Sequence, residues 1–211
     1  MLVGLTGLIG SGKTTVANLL VERHGYRADS FATSVKDALA TIFGWPRDML
    51  EGDTLESRVW RETVDPWWSK ELGIPGFSPR YAMTFYGTDI MRKHFHQDIW
   101  LLTVKHRMHN SPNVPVVMTD VRFANEVNFV KSNGGKFINI QRGTLPEWYD
   151  TAKLANGGNI SALNTMRDQY SHVHPSEYSW IGLTGDTVIH NNGTIDQLAA
   201  KIGETLGVNM P

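Results

Sequence analysis

The chain has 211 residues, of which 41% are hydrophobic, 10% aromatic and 19% charged, with a formal net charge of -1 at pH 7; this suits one domain, or one domain with sizeable insertions, and argues against a disordered or low-complexity chain. The near-neutral balance offers no global attraction to nucleic acid or acidic membrane, and no stretch approaches the ~18 apolar residues of a membrane span. The absence of cysteine rules out disulfides, thiolate metal sites and a cysteine nucleophile, and agrees with a reducing compartment.

Leu2 to Leu5 is a short apolar run suited to a buried strand, and it follows Met1 so closely that no export signal fits before it, which predicts a cytoplasmic protein. Next comes Gly7-Leu8-Ile9-Gly10-Ser11-Gly12-Lys13-Thr14, a complete G-x-x-x-x-G-K-T phosphate-binding loop. In such a loop the backbone N–H groups wrap a di- or triphosphate, the lysine reaches the β and γ oxygens, and the threonine hydroxyl binds Mg²⁺. Thr14 to Val21 carries apolar residues at helical spacing, so strand, glycine turn and helix follow in the required order. The helix N-terminus adds partial positive charge where phosphates would sit. Gly7, Gly10, Ser11, Gly12, Lys13, Thr14 and Thr15 are therefore the candidate ATP-binding residues.

The first helix is predicted from about Lys13 to Val21, with Gly25 as C-cap. Arg27 to Phe31 reads as a short extended segment. Ser34 is the expected N-cap of a helix over Val35 to Phe43, stopped by Gly44. Lys36 falls in that helix's first turn, where a cation is unfavourable unless an anion also lies there; a bound phosphate would resolve the conflict, and the alternative is a solvated surface lysine. From Trp45 to about Pro79 periodicity is lost and Trp, Pro, Gly and charge dominate, as expected of an inserted subdomain with short helices around aromatic anchors. Its tryptophans either glue the insertion together or wall a substrate site.

Arg80 to Lys93 reads as a helix, a break at Gly87, and a new helix capped by Thr88 or Asp89 that runs to Met108. Arg80 and Arg92 flank the break, where either could meet a phosphate or simply face solvent. Val114 to Met118, ending in Thr119-Asp120, has the pattern of a buried central parallel strand. An acid at its C-terminal end is how P-loop enzymes hold the water shell of Mg²⁺, which makes Asp120, with Thr14, the metal candidate. Arg122 follows at the same sheet edge, where open α/β sheets bind ligands. A helix over Asn125 to Ser132 and a strand over Lys136 to Ile140 come next, with Arg142 just past that strand. Gly143 to about Gly185 is a second irregular region; its His172, His174 and Glu177 are loosely spaced for metal ligands, and a mobile lid over the phosphates is the better reading. Thr187 to Asn191 is predicted as the last strand and Ile195 to Ile202 as an amphipathic helix. The alternation gives a three-layer α/β fold with a central parallel five-stranded sheet and right-handed crossovers. Its core is expected over about 1–31, 80–142 and 186–211, with insertions at about 32–79 and 143–185.

Two insertions at these places resemble those of nucleoside monophosphate kinases, where they hold the acceptor and the lid. More narrowly, the P-loop, Val35-Lys36-Asp37-Ala38-Leu39, Gly87-Thr88-Asp89, Thr119-Asp120-Val121-Arg122 with Glu126, Ile140-Gln141-Arg142, His174-Pro175-Ser176-Glu177 and Asp186 to Thr194 resemble, in order, the deoxynucleoside monophosphate kinases of bacteriophages. The resemblance implies Mg²⁺-dependent transfer of the ATP γ-phosphoryl group to a deoxynucleoside 5′-monophosphate, in a host cytoplasm if the chain is phage-encoded. It implies that Lys13, Asp120, Arg122 and Arg142 are catalytic, that Lys36, Arg80 and Arg122 grip the acceptor phosphate with Glu126 beside them, and that Arg142 and Arg167 close on the donor from the lid. Phe31, Trp60, Trp67, Trp68 and Tyr86 are candidates to stack on the acceptor base. The opening also resembles dephospho-coenzyme A kinases, and the Asp120-Val121-Arg122 and Ser176-Glu177 pattern resembles phosphomevalonate kinase; a nucleotide-binding regulator that hydrolyses ATP is the alternative from another class. The sequence leaves open the base accepted and whether the chain dimerises.

Overall fold

The computed structural model describes residues 1–183 and 187–208. Asp186, one of the segments just quoted, and the end of the expected lid at 184–185 lie outside the described residues. The chain divides into two compact units, Met1–Ser30 with Met108–Pro211, and Phe31–Arg107.

The first unit is built on a five-stranded sheet of order β2-β3-β1-β4-β5. Its strands are β1 (Leu2–Thr6), β2 (Arg27–Asp29), β3 (Val116–Met118), β4 (Lys136–Gln141) and β5 (Thr187–His190), and every neighbouring pair is parallel. All five residues of β1 and all three of β3 are buried, as expected of strands covered on both faces. Val3 and Leu5 pack with Ile138, Ile140 and Ile189 against Val16, Ala17 and Leu20 of α1 (Lys13–His24) and Leu198, Ala199 and Ile202 of α11 (Ile195–Leu206). Between Val3 and Leu5, Gly4 faces the opposite way, against Val130 of α7 (Ala124–Ser132). The period of two in β1 thus makes three layers, with α1 and α11 on one face and α7 on the other.

After β4 the chain forms α8 (Tyr149–Asn156), α9 (Ile160–Asp168) and α10 (Pro175–Tyr178). These helices have their own small core of Tyr149, Ala152, Ala155, Ala162, Met166, Trp180 and Ile181, against which Leu8 of the glycine loop packs. The region expected to be irregular is therefore largely helical, short segments whose apolar residues close on one another rather than on the sheet.

The second unit contains α2 (Thr33–Phe43), α3 (Leu55–Glu62), α4 (Pro66–Glu71), α5 (Pro79–Thr84) and, up to the unit's limit, α6 (Ile99–His109). The segment 80–107, expected in the core, groups with the inserted residues. Short helices around aromatic anchors are what the insertion shows. Phe43 and Trp45 stack with centroids 4.5 Å apart, and Trp68, Phe77 and Trp60 complete the cluster. Asp65 caps α4 through Trp68 N–H at 3.0 Å and accepts the Trp45 indole N–H at 2.9 Å, so one carboxylate starts a helix and anchors a ring.

Two local expectations are corrected. α2 begins at Thr33, with Ala32 as its N-cap and no side-chain cap, and the Ser34 hydroxyl inside the first turn accepts from Arg107 at 2.7 Å. No helix break occurs at Gly87: residues Phe85–Phe95 continue as an 11-residue π-helical segment, and the break comes at His96. The wider π turn leaves the buried Gly87 carbonyl able to accept the Trp100 indole N–H at 2.8 Å, and this tertiary bond outweighs the glycine's helix-breaking tendency.

Candidate active site

The loop between β1 and α1 has the geometry of an anion cradle. Gly12 precedes α1 in the left-handed region, with φ 104° and no side-chain cap, so the first-turn N–H groups of the helix carry no capping side chain. A Cβ at Gly12 would lie 2.3 Å from Asn191 Nδ2, and one at Gly7, where φ is 143°, would lie 2.2 Å from the Ile140 carbonyl. Both positions therefore need glycine for shape as well as for torsion. Asn191, just past β5, donates from Nδ2 to the Ser11 carbonyl at 2.9 Å and so fixes the loop from the next strand end. Ser11 is buried, its N–H bonded to the Leu8 carbonyl at 3.1 Å, and its Oγ has no partner among the described residues. Gly10 and Thr14 are exposed and Thr15 half-buried.

Lys13 folds back over this loop, its Nζ donating to the carbonyls of Gly7 at 2.8 Å and Leu8 at 3.0 Å. Burial lowers its pKa to about 8 from 10.5, the Arg122 guanidinium adds to the fall, and the Glu177 carboxylate opposes it. A cation so placed is short of negative charge.

Lys13, Asp120, Arg122, Ser176, Glu177 and Trp180 line one pocket together with Gly7 and Leu8. Asp120 lies just beyond β3, and Ser30, just beyond β2, donates its hydroxyl to Asp120 Oδ2 at 3.0 Å. Arg122 is exposed; its Nη1 donates to Ser176 Oγ at 3.2 Å, and that hydroxyl pairs with His174 Nδ1 at 2.8 Å. His174, considered above as a loose metal candidate, serves as N-cap of α10, accepting from Ser176 N–H at 3.2 Å. The residues gathered here sit at the carboxyl ends of parallel strands, where loops and helix N-termini converge on a ligand.

Several expectations land elsewhere. Glu126, expected beside the acceptor, is only 2% exposed, and its Oε2 accepts the backbone N–H of Arg122 at 2.8 Å and of Phe123 at 3.2 Å. It holds the Arg122 loop. Phe31 is 2% exposed, a core position. Arg142 and Arg167 are exposed and do not line the pocket. Lys36, Arg80, Trp60 and Tyr86 belong to the second unit. There Lys36 is buried and paired with Glu51, whose carboxylate also pairs with Arg47; that carboxylate, not a phosphate, answers the cation in the first turn of α2. Burial would raise the Glu51 pKa, but Lys36 and Arg47 outweigh it and hold the carboxyl below its usual range. Arg80 lies 3.8 Å from Glu62, Trp60 is edge-on to Trp45, and Tyr86 tilts against Trp100. Trp67 is exposed and Trp68 lies in the aromatic cluster.

Sequence reasoning did not single out Ser30 or Asn191 as site residues, and weighed Glu177 only as a loosely spaced metal ligand. Asn191 and Ser30 carried one signal, their position just after strands that end at the loop's edge.

Thr14 in the first turn of α1 offers a hydroxyl and Asp120, held by Ser30, a carboxylate; both are hard oxygen donors of the type that suits a Mg²⁺ ion carrying its own waters. Among the described residues no helix is long and apolar enough to cross a membrane.

No family model matches the chain. It is similar to a protein of Acanthamoeba polyphaga mimivirus described as "Putative deoxynucleotide monophosphate kinase", with 29% identity over 214 residues, 96% of this chain and 94% of the relative. Among solved structures, it is similar to a shikimate kinase from Aquifex aeolicus, over 98% of this chain and 96% of the other at 14% identity and a TM-score of 0.44. A dephospho-CoA kinase from Campylobacter jejuni overlaps 98% of this chain and 95% of its own, also at 14% identity and 0.44. At that distance the two solved structures bear on neither substrate nor chemistry.

Proposed function

We propose that this protein transfers the γ-phosphoryl group of ATP to the 5′-phosphate of a deoxynucleoside monophosphate. The observation that carries the reading is the convergence of Lys13, Asp120 and Arg122 on one pocket beside a loop shaped to wrap phosphates. The name of the mimivirus relative supports the acceptor class.

The acceptor phosphate is ionised at neutral pH, since its second pKa is about 6, so no dedicated general base is needed. One of its oxygens attacks the γ-phosphorus; that O–P bond forms as the bond to the β-bridging oxygen breaks, and ADP leaves with the electron pair. Catalysis is then positioning and charge neutralisation. In this reading the loop amides and Lys13 hold the donor, and Lys13 exchanges the Gly7 and Leu8 carbonyls for phosphate oxygens. Thr14 and Asp120 would hold Mg²⁺, which would supply neutralisation of the phosphates' charge. Arg122, released from Ser176, meets the transferred group or the acceptor phosphate, and Glu126 keeps its loop in place. Arg142 and Arg167 remain proposed lid residues.

A coupled assay of ADP formation with ATP, Mg²⁺ and single monophosphates tests this. ADP formation above the water rate with at least one deoxynucleotide is expected. No stimulation by any of them, or stimulation by dephospho-coenzyme A or phosphomevalonate alone, would overturn it.

A further inference from the structure

The pocket beside the glycine loop is closed by the chain itself. Thr6, Lys13 and Asp120 line it from the strand ends and the loop, and the facing wall is α10 with Ser176 and Glu177, followed by Trp180. In this arrangement the space open to water centres is about 40 Å³. One water needs about 10–15 Å³ on that measure, so the pocket has room for a few waters and not for a row of three phosphate groups. To admit a triphosphate, one wall has to give way.

The walls differ in how firmly they are held. Thr6 is buried at the end of the central strand, and the glycine loop is pinned by Asn191 and by the packing of Leu8 on the helical core that follows β4. α10 has four residues, with Pro175 exposed and Ser176, Glu177 and Tyr178 half-buried. Its trailing end is anchored: Asn156 Nδ2 donates to the Tyr178 carbonyl at 2.7 Å and to the Ile181 carbonyl at 2.8 Å, and the buried Trp180 lies edge-on to Tyr149. Its leading end meets the pocket through the exposed bond from Arg122 Nη1 to Ser176 Oγ at 3.2 Å. A phosphate oxygen offers that guanidinium a charged acceptor in place of a neutral one. α10 is therefore the wall that can swing, about its anchored end.

The groups that α10 brings to the pocket resemble the ligand they keep out. Ser176 gives Arg122 an oxygen acceptor, and the Glu177 carboxylate favours the charge of the Lys13 ammonium, which burial and Arg122 oppose. Hydroxyl and carboxylate thus stand in for phosphate oxygens toward the same two cations. Once a polyphosphate surrounds Lys13, the carboxylate becomes a like charge in a pocket partly shielded from water and is repelled.

We propose, resting on the phosphate-loop reading above, that α10 is a built-in plug: Ser176 and Glu177 occupy the phosphate pocket as an internal mimic, and a bound polyphosphate drives the helix out. A lid that merely closed over its ligand would gain protection on binding, whereas a displaced plug loses it.

Amide exchange over 174–181 of the full chain, with and without inorganic tripolyphosphate at equal ionic strength and without divalent ions, tests the sign of that change. The N–H groups of Ser176, Glu177 and Ser179 are bonded to His174 Nδ1, the His174 carbonyl and the Pro175 carbonyl, so displacement should speed exchange there by about threefold or more, while residues 7–14 slow. By isothermal titration Glu177→Gln, which removes the like charge, should bind tripolyphosphate about fivefold or more tightly than wild type, and Ser176→Ala, which frees Arg122, should also bind more tightly. Slower exchange over 174–181 on binding, or an affinity unchanged or weakened in Glu177→Gln, would overturn the plug. If Glu177→Gln does not fold, Ser176→Ala decides by the same comparison. A wild type that phosphorylates monophosphates yet protects α10 loses the plug and keeps the kinase reading; one that phosphorylates nothing, yet shows faster exchange and tighter binding in the variants, keeps the plug and loses the kinase reading. Tripolyphosphate bound by neither wild type nor variants would overturn the plug together with the reading of the loop.

Discussion

Nucleotide binding should take up a proton, and the site of uptake is Lys13. Its pKa of about 8 lies well below the ordinary lysine value of 10.5, a cost to the charged form of about 3 kcal/mol. Burial and Arg122 impose that cost, and a triphosphate around the ammonium removes it by supplying opposite charge. The sign follows directly: the protonated lysine binds the anion, so affinity is full below pH 8 and falls as pH rises through it. At pH 8 about half the lysines are neutral, so ATP binding should draw about half a proton from buffer; affinity should be about tenfold weaker at pH 9 than at pH 7. The terminal phosphate of the ligand is already ionised at pH 8 and adds nothing. Isothermal titration at pH 8 in two buffers of different ionisation enthalpy measures the uptake, and Lys13→Met should abolish it. Buffer-independent heats for wild type would refute this account of the loop's electrostatics.

Other expectations follow from the same geometry. Lys13→Ala and Arg122→Ala should each abolish transfer, but only the first should strongly weaken ATP binding by titration; equal losses would contradict the role given to Arg122. Gly12→Ala should cost about 1–2 kcal/mol for the left-handed backbone alone, plus the displacement of Asn191 from the Ser11 carbonyl; the urea midpoint should fall and ATP binding should be lost together. Glu126→Ala leaves the Arg122 and Phe123 N–H groups without their carboxylate, costing about 1–3 kcal/mol in denaturant unfolding, and should lower kcat through the misplaced Arg122 loop while KM for ATP holds.

The strands and their parallel pairing were legible because β1 and β3 are continuous apolar runs and because Gly7 to Thr14 can only work between a strand and a helix. The placing of Asp120 and Arg122 beside Lys13 in one pocket was legible for the same reason, since both follow the end of a buried strand next to the glycine loop. Tertiary bonds were not. The Gly87 carbonyl is taken by Trp100, thirteen residues on, which keeps the segment helical where propensity favours a break. Glu51 was invisible as the partner of Lys36 because it lies fifteen positions on, in the stretch after Trp45 where periodicity is lost. Phe31 and Glu126 read as ligand contacts by their neighbourhood, whereas burial gives the first to the core and the second to a loop's backbone.

The most direct test follows the phosphorus. Purified protein incubated with γ-labelled ATP, Mg²⁺ and each deoxynucleoside monophosphate in turn should move label into the corresponding diphosphate for at least one base, and lose that transfer in Arg122→Ala. Label appearing only as inorganic phosphate, at a rate indifferent to every monophosphate, would contradict the central claim.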